Sequence, residues 1–445
     1  MKKILYLLLL LTSTLALGQE ETYTELTFKC KDQIERPFIL YTPKAMDSKV
    51  ERPLLVYLHG AISNPNLKKD PLAYIKKSKL IELADQGEFY LMFCYGQKGA
   101  TWFDAVGMDM VMGEIREVQE QFNVDQQKIF LSGFSDGASG ALYFSMTHPA
   151  PFAGFIAMNG SLRVAQKLGA FGTYPANANH KPIYIINTTG DMLYPLNQIE
   201  PTVDYLKQFN DHIIFKTPEG NHEMAYLQTE QEGLLSFMAE HTNQVPTEFS
   251  WEMSSLSNNT INWISITQID TSSSPKAWHT PYQLKVFNSK ADFGLNYDYA
   301  YQGKGLKVKG FKNDTCTSKR MGIKVDDIVL LMEQDTMASP YSPYFYTAKK
   351  TAGDPTSLTI LREGKEQLIS GKFNEGYYYE IFNTPRRSAK IAAKIKGHQL
   401  IIHTSNVAEI KIDMNAVRAY DVREVVVNDE IYPSKLEGDQ VIKVK

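Results

Sequence analysis

Short apolar runs alternate with amphipathic stretches between about residue 38 and residue 241. In the stretch 108–122, apolar residues recur at the spacing of one helix face. Because strands that alternate with helices build a mostly parallel sheet covered on both faces, we predict a doubly wound α/β domain here. Such sheets carry their sites at the carboxyl ends of the strands. The predicted strands are residues 54–58, 89–94, 128–131, 154–158, 183–187 and 213–215.

After residue 241 the pattern changes to strands without a long helix. Asn, Ser, Thr and Pro become frequent, residues 261–269 have the pattern of a strand, and residues 271–275 read Thr-Ser-Ser-Ser-Pro, which is typical of a loop or linker. The chain has 445 residues, and single hydrophobic cores stop growing at roughly 250 to 300 residues. We therefore predict that the β-rich remainder forms one or more separate units.

The N-terminus has the pattern of a secretory signal peptide. A basic Met-Lys-Lys start is followed by an apolar run at residues 4–11 and by the small-residue site Ala16-Leu17-Gly18. A transmembrane anchor is the alternative, but the run is shorter than the ~20 residues that span a bilayer. We expect residues 1–18 to be removed and the protein to be exported, to the periplasm or the extracellular space, with no membrane span.

Charge and cysteine content exclude several kinds of partner. The 47 basic and 50 acidic residues leave a net charge of −3, so neither a nucleic acid nor an anionic membrane surface is expected as a partner. Cys30, Cys94 and Cys316 are odd in number and widely spaced, which predicts no obligatory disulfide, although a Cys30–Cys94 pair stays open. The sequence lacks the H-E-x-x-H, P-loop and G-x-G-x-x-G motifs, and no metal or cofactor is expected.

The most informative motif is Gly133-Phe134-Ser135-Asp136-Gly137, a G-x-S-x-G sequence. It lies between the predicted strand 128–131 and the helix-like stretch 138–147. In this context G-x-S-x-G indicates a nucleophile elbow, a sharp turn that holds a serine hydroxyl exposed for attack. We predict Ser135 as the nucleophile of a hydrolase.

A serine nucleophile needs a base and a carboxylate that orients the base. Asp191 follows the predicted strand 183–187, and His222 lies in a Gly-containing loop after the strand 213–215. The chain order Ser, Asp, His is the one expected for α/β-hydrolases. His212 is the nearest rival for the base, but it precedes its strand and so falls at the opposite end of the sheet.

The segment Leu58-His59-Gly60-Ala61 ends a buried-strand pattern at the point where the oxyanion hole is expected. The backbone amides of Ala61 and Asp136 are the predicted oxyanion donors, and His59 is predicted to be structural. Trp102 is a candidate aromatic wall for an acyl or aryl group of the substrate, with simple packing as an equal alternative.

With these motifs, residues 25–241 resemble the esterase, polyhydroxybutyrate depolymerase and feruloyl esterase group of α/β-hydrolases. Thr101-Trp102-Phe103-Asp104 and the stretch 124–130 add to the resemblance. Ala138 departs from it, because many relatives have a second glycine there, and we expect little consequence. The resemblance implies an α/β-hydrolase fold and a serine esterase.

Residues 287–373 resemble the PDZ domains of bacterial proteases. Phe293, Gly294 and Leu295 match the carboxylate-binding loop of that family, and the matching strands follow in order up to Arg362-Glu363-Gly364-Lys365. The resemblance implies that a peptide C-terminus or an extended peptide binds at this loop and at an exposed strand edge. A purely structural role is the alternative. Asp326 stands where the family has glycine, so we expect a slightly different turn there.

The segments that flank the PDZ-like stretch resemble two halves of one β-rich domain that follows exported bacterial hydrolases. A simple string of domains remains the alternative. The resulting prediction has a PDZ-like domain inserted in a β-rich C-terminal domain, with the boundaries 1–18 for the signal peptide, 19–244 for the catalytic domain, 245–283 with 375–445 for the discontinuous β-rich domain and 284–374 for the PDZ-like domain.

Three functions are compatible with these features. The first is an exported serine hydrolase that cleaves a small ester, or an ester-decorated polysaccharide or polymer, through an acyl-enzyme on Ser135. The second is a serine peptidase whose PDZ-like domain guides a polypeptide substrate, since the Gly-Asp-x-x-Tyr-Pro sequence around Asp191 also occurs in peptidases of the prolyl oligopeptidase type. The third is a PDZ binding protein that keeps the hydrolase fold only as a scaffold.

Overall fold

The computed structural model describes residues 22–62, 71–383 and 386–445. The predicted signal peptide lies outside the described residues. Within these ranges, none of the helices combines the length and the apolar character that crossing a membrane requires.

A mostly parallel, eight-stranded sheet occupies the first half of the chain. Its inner strands carry continuous buried runs because helices cover both faces, and all five residues of the strand Gly154–Met158 are buried. The strands are β1 (Tyr23–Lys29), β2 (Glu35–Tyr41), β3 (Arg52–Leu58), β4 (Tyr90–Cys94), β5 (Val124–Phe134), β6 (Gly154–Met158), β7 (Ile183–Ile186) and β8 (Ile213–Lys216).

The strand order is β1-β2-β4-β3-β5-β6-β7-β8. Strand β2 pairs antiparallel with β1 on one side and with β4 on the other. The remaining neighbours, in the order β4-β3-β5-β6-β7-β8, all pair in parallel. The carboxyl ends of β3, β5, β6, β7 and β8 therefore meet at one edge of the sheet. The predicted α/β-hydrolase fold with a mostly parallel sheet is confirmed.

Helices cover this sheet on both sides. The helix predicted at residues 108–122 begins three residues earlier, because the Asp104 side chain caps it by accepting a hydrogen bond from the Gly107 amide at 2.8 Å. The helices are α1 (Pro71–Ile75), α2 (Leu80–Gly87), α3 (Ala105–Gln121), α4 (Asp136–Thr147), α5 (Leu162–Leu168), α6 (Leu196–Lys207) and α7 (Leu227–Glu240), with a three-ten helix at Pro175–His180.

Strands dominate the rest of the chain, as the sequence pattern predicts. They are β9 (Glu248–Met253), β10 (Thr260–Ile261), β11 (Ile264–Ile269), β12 (Leu284–Asn288), β13 (Leu295–Tyr297), β14 (Leu306–Phe311), β15 (Ile328–Met332), β16 (Asp335–Thr336), β17 (Pro355–Arg362), β18 (Lys365–Lys372), β19 (Tyr377–Ile381), β20 (Ala389–Lys396), β21 (Gln399–Ser405), β22 (Val407–Asp413), β23 (Glu424–Val427), β24 (Glu430–Pro433) and β25 (Asp439–Lys443). Short helices connect them: α8 (Thr317–Arg320), α9 (Ser342–Thr347), α10 (Met414–Val417) and three-ten turns at Leu256–Asn258 and Arg418–Tyr420.

Strands that are far apart in the sequence share two sheets. One sheet has the order β24-β23-β21-β20-β9 and the other the order β10-β11-β22-β25. Strand β9 pairs antiparallel with β20, and β11 pairs antiparallel with β22. The two sheets enclose one hydrophobic core that contains Trp251, Ile266, Ile391 and Ile410. Residues on both sides of the segment 270–388 thus contribute to the same core.

The intervening segment forms a sheet of its own, β13-β14-β15-β17-β18, with β16 paired to β15. Strand β13 lies at the edge of this sheet, and the core beneath contains Phe293, Val308 and Leu358. Asp326 has a φ of +71°, a left-handed conformation that glycine adopts readily. Asp326 therefore has a backbone conformation that a glycine at this position could also adopt.

A two-stranded ribbon of β12 and β19 leads into and out of this sheet. Val286 and Ile381 on the ribbon, with the adjacent Tyr282 and Phe382, pack into the hydrophobic core of the first half of the chain. We call the sheet β13-β14-β15-β17-β18 the middle sheet. The ribbon holds it against the carboxyl-end edge of the parallel sheet, where Lys290 contacts the Leu193 carbonyl oxygen.

Candidate active site

Ser135 lies at the sharp turn between β5 and α4, with φ +58° and ψ −116°. The two glycines of the motif make this turn possible. A Cβ on Gly137 would lie 1.8 Å from the Leu58 carbonyl oxygen, and a Cβ on Gly133 would lie 2.3 Å from the Gly137 carbonyl carbon. The chain therefore packs backbone against backbone here, and the serine projects from the edge of the sheet.

The structure brings Ser135, His222 and Asp191 into one hydrogen-bonded chain. His222 Nε2 lies 2.8 Å from Ser135 Oγ, and His222 Nδ1 lies 2.8 Å from Asp191 Oδ2. The imidazole packs against Phe134 and Tyr194, with ring centroids 5.0 and 5.3 Å away. One imidazole thus connects a serine hydroxyl with a carboxylate.

The Asp191 carboxylate is almost completely buried, yet its pKa is lowered. Burial alone would raise the pKa, but hydrogen bonds from His222, from Asn159 and from the Tyr194 amide stabilise the charged form. Oδ1 accepts from the amides of Leu193 and Tyr194 at 2.9 Å each, and Oδ2 also accepts from Asn159 Nδ2 at 2.8 Å. The carboxylate is therefore ionised and fixed in orientation.

Asn159 and Thr188 are functional residues that the sequence analysis missed. Asn159 Nδ2 donates to Thr188 Oγ1 at 2.8 Å as well as to Asp191, and Thr188 Oγ1 donates to the carbonyl oxygen of Asn221, the residue before His222, at 2.7 Å. This network joins the loops after β6, β7 and β8. Their position just past strand ends was the available signal, because that edge carries the site.

The two predicted oxyanion donors lie on segments that contact each other. The Asp136 amide belongs to the first turn of α4, where backbone N–H groups lack an intrahelical acceptor. Ala61 has a left-handed φ of +49°, and the next amide, that of Ile62, donates to Asp136 Oδ2 at 3.1 Å. The Asp136 side chain thus holds the Ala61 loop beside the turn that carries Ser135.

The buried side chains of His59 and Trp102 pack under the Ala61 loop, on the side of the protein core. His59 is buried, and its ring nitrogens lie 2.7 Å from the Gly60 carbonyl oxygen and 3.2 Å from that of Gly96. Trp102 is 0% exposed, donates from Nε1 to the His59 carbonyl oxygen at 3.0 Å and packs edge-to-face on the His59 ring. The prediction of Trp102 as a substrate wall is therefore wrong, because no surface of its ring is accessible.

The PDZ-like loop, residues 293–295, lines a groove that also contains Met192 and Pro195 from the loop after Asp191. Phe293 and Leu295 are buried, and Gly294 has a left-handed φ of +70°. The Gly294 amide already donates to the Asp292 carboxylate at 2.8 Å, and Asp292 is in turn paired with Lys312. One amide of this loop is thus occupied by a side chain of the protein itself.

Potential metal ligands are dispersed over the molecule. In the ranges 22–62, 71–383 and 386–445, no group of three or more His, Cys, Asp or Glu side chains is placed to hold a metal ion. Cys30, Cys94 and Cys316 are each buried and free.

Residues 45–242 match the family model described as phospholipase/carboxylesterase. They contain Ser135, Asp191 and His222 and the sheet edge where these residues meet. This part of the chain has the α/β-hydrolase fold.

One curated protein resembles part of this chain. The chain is 27% identical over 163 residues to the bifunctional acetylxylan esterase/xylanase XynS20E of Neocallimastix patriciarum, a match that covers 36% of this chain and 22% of that protein. The chain thus spans about a fifth of the length of this curated relative.

Solved structures that resemble this chain include a fluorophosphonate-binding serine hydrolase of Staphylococcus aureus. It is 16% identical, with 48% of this chain and 97% of that chain covered and a TM-score of 0.39. A ferulic acid esterase is 15% identical, with 49% and 97% covered and a TM-score of 0.38. The acylaminoacyl peptidase of Pyrococcus horikoshii is 13% identical, with 51% and 43% covered and a TM-score of 0.39.

Proposed function

We propose that this protein is a serine hydrolase that cleaves carboxylic esters through an acyl-enzyme on Ser135. The observation that carries the proposal is the chain of contacts from Ser135 Oγ through His222 to Asp191, each 2.8 Å long. Both contacts have the length of productive hydrogen bonds, so the serine proton has an acceptor before any substrate arrives.

In the first half of the reaction Ser135 Oγ attacks the ester carbonyl carbon while His222 Nε2 takes the hydroxyl proton. The buried Asp191 carboxylate accepts the Nδ1 proton in a hydrogen bond and stabilises the imidazolium that forms. The carbonyl oxygen becomes an oxyanion, to which the Ala61 and Asp136 amides donate. The carbon–oxygen bond to the alcohol then breaks, and the alcohol leaves with the proton from His222.

In the second half a water molecule gives a proton to His222 Nε2 and attacks the acyl carbon. The second oxyanion collapses, the bond to Ser135 Oγ breaks, and Oγ recovers the proton from His222. A carboxylic acid is released and the free enzyme returns. Ester and water are the only reactants.

The substrate class we propose is a small ester or an ester-decorated polysaccharide or polymer. The carboxylesterase description of the matching family supports an ester rather than an amide. An acetylxylan esterase among the relatives supports the polysaccharide form. We also propose that the protein is exported by way of the signal peptide at residues 1–18, and that residues 245–283 with 375–445, and residues 284–374, form the two further domains.

The test uses a fluorophosphonate probe and p-nitrophenyl acetate. We expect covalent labelling at Ser135 and ester hydrolysis, both abolished in Ser135→Ala while the circular dichroism spectrum is unchanged. Ser132→Ala is the matched control, because this buried hydroxyl lies on the same strand and bonds only to the Val56 carbonyl oxygen at 2.9 Å. Unchanged turnover in Ser135→Ala would refute the mechanism.

A peptidase is the second candidate, and the groove beside the PDZ-like loop favours it. This groove is also lined by Met192 and Pro195 from the loop that follows Asp191. A peptide library decides between the two functions. Cleavage of peptides at rates above those of esters would replace the esterase proposal, whereas ester turnover without peptide cleavage supports it.

A further inference from the structure

A groove of about 860 Å³ runs between the middle sheet and the carboxyl-end edge of the parallel sheet. Arg163 and Met192 line it from the catalytic side, and Lys290, Tyr344 and Tyr377 line it from the other side. The groove is therefore built by both parts of the chain and lies next to the loop that holds the catalytic carboxylate.

Two cations of this groove have no carboxylate partner among the described residues. Arg163 Nη2 donates to the Tyr377 hydroxyl at 3.0 Å, and its guanidinium stacks 3.8 Å from the centroid of the Tyr379 ring. Lys290 Nζ donates to the carbonyl oxygen of Leu193 at 3.3 Å. Neutral groups thus hold both side chains in place without cancelling their charge.

The other cations of the groove are neutralised. Lys312 pairs with Asp292 at 2.8 Å, and Lys350 pairs with Glu333 at 2.7 Å. The unpaired positive charge of the groove is therefore confined to Arg163 and Lys290.

Both unpaired cations are connected to the segments that hold Asp191 in place. Leu193, the partner of Lys290, is two residues from Asp191, and its amide donates to the Asp191 carboxylate. Arg163 lies in the first turn of α5, four residues after Asn159, which holds the other oxygen of the same carboxylate. Desolvation lowers the pKa of Lys290, the charges of Asp191 and Asp292 raise it, and the charges of Lys312 and Arg163 lower it further.

We propose that Arg163 and Lys290 bind a carboxylate carried by the ester substrate, while its scissile carbonyl is held at Ser135. The inference rests on the proposed esterase function and names its substrate class: an ester that carries a free carboxylate a few bonds from the reacting carbon. A guanidinium and an ammonium with free donors provide the charge-assisted hydrogen bonds that such a group requires.

The PDZ-like loop is a poorer place for this carboxylate. The Gly294 amide is already bonded to Asp292, and the negative charge of Asp292 would repel a second anion. The anion site is therefore assigned to Arg163 and Lys290, across the groove, rather than to the Gly294 loop.

The test compares pairs of aryl esters that differ only in one carboxylate, and the first set consists of p-nitrophenyl esters. Monoesters of glutaric, adipic and suberic acid are paired with esters of the straight monocarboxylic acids of equal chain length. A second set carries the charge on the alcohol side, as acetate esters of p-hydroxybenzoic acid and of its methyl ester. The measured quantity is the ratio of kcat/KM for the charged ester to that for the neutral one.

We expect a ratio above one in at least one of the two sets, and a fall of about tenfold in Lys290→Gln and in Arg163→Gln, because each variant loses a hydrogen bond to a charged group. Added salt should lower the ratio in the wild-type protein. Lys350→Gln is the matched control: this cation lines the same groove but is paired with Glu333, so the ratio should keep its wild-type value.

Neutral esters separate failure of the inference from failure of the esterase proposal. Hydrolysis of neutral esters with no preference for the charged ones in either set would overturn the anion site and leave the esterase standing. Absence of hydrolysis for every ester would remove the esterase itself. A preference that Lys290→Gln and Arg163→Gln both retain would also overturn the assignment to these residues.

Discussion

At the scale of single residues, the orientation of Asp191 depends on neighbours that never touch a substrate. Two backbone amides hold one of its oxygens, whereas the other is shared between His222 and Asn159. Asn159 itself has a left-handed φ of +53°, which asparagine tolerates better than most residues. Its side chain is thus a positioning group for the triad, because it fixes the carboxylate that orients the imidazole.

Removal of this side chain should reduce catalysis more than stability. We expect Asn159→Gly, which keeps the backbone conformation accessible, to lower kcat by about tenfold because a charge-assisted hydrogen bond to Asp191 is lost. That hydrogen bond lowers the pKa of Asp191, so its loss should raise this pKa and move the acidic limb of the kcat/KM profile to higher pH.

Steady-state kinetics across a pH series test this expectation. The matched control is Asn262→Gly, a left-handed asparagine of the β-rich region with φ +50°. It should leave both kcat and the pH profile at wild-type values. An Asn159→Gly enzyme with an unshifted acidic limb would contradict the role of Asn159.

At the scale of elements, the three-ten helix at Pro175–His180 closes the open edge of strand β9. Asn177 Nδ2 donates to the Glu252 carbonyl oxygen at 2.8 Å, and its Oδ1 accepts from the Glu252 amide at 2.9 Å. His180 Nε2 lies 2.8 Å from the carbonyl oxygen of Ser250 on the same strand. A side-chain amide thus takes the place of a neighbouring strand, which protects an edge that would otherwise be unpaired.

We expect Asn177→Ala to lower the free energy of unfolding by about 2 to 4 kcal/mol, because it leaves a buried amide and carbonyl of β9 without partners. Urea denaturation measures the change. Asn179→Ala, an exposed position of the same three-ten helix, is the control and should change stability by less than about 0.5 kcal/mol. Equal effects of the two variants would show that the edge is closed by other contacts.

At the scale of the whole molecule, one buried carboxyl makes stability depend on pH. Glu114 on α3 is fully buried in the first half of the chain, and neither of its oxygens has a hydrogen-bond partner among the described residues. Burial raises its pKa to about 8, although the Cys94 thiol and Arg36 act in the opposite direction. Glu114 is therefore protonated in the folded protein at neutral pH and ionised in the unfolded chain.

Unfolding thus releases a proton from Glu114 between its unfolded pKa and its folded pKa of about 8, so the contribution of Glu114 to stability falls as pH rises through this window. Burial lowers the pKa values of His148 and His180 from 6.5 to about 4, which acts in the opposite direction, so the decline is expected between pH 6.5 and 8. The contribution of Glu114 to the slope is at most about 1.4 kcal/mol per pH unit. We expect Glu114→Gln to flatten the decline measured by urea denaturation at pH values across the window. Glu120→Gln, an exposed position of the same helix, should keep the wild-type slope.

The features that could be predicted from the sequence are those that depend on local residue patterns. The α/β fold was accessible because each inner strand is a continuous apolar run between amphipathic stretches, a purely local pattern. Ser135, Asp191 and His222 could be selected because each follows a predicted strand. The sequence could not decide whether Trp102 lines a pocket or fills the core, since an aromatic residue after a strand has the same sequence pattern in both cases.

Asn159, Thr188 and Asn177 could not be assigned roles from the sequence. Their side chains act on backbone or carboxylate groups that lie 31 to 75 positions away in the chain, and amide or hydroxyl residues in loops are common. The pairing of β9 with β20 likewise joins residues about 140 positions apart, as with Met253 and Ala389. No local periodicity encodes such a partner.

The sequence by itself determined the parallel sheet, the order of the three reacting groups along the chain and the strand-rich character of the rest, because these depend on local residue spacing. Only the tertiary structure decided that Arg163 and Lys290 face one groove beside Asp191, that Asp292 occupies the Gly294 amide and that Trp102 is buried. The physical reason is that charge, burial and hydrogen bonding depend on distances in space between residues whose separation along the chain carries no such information.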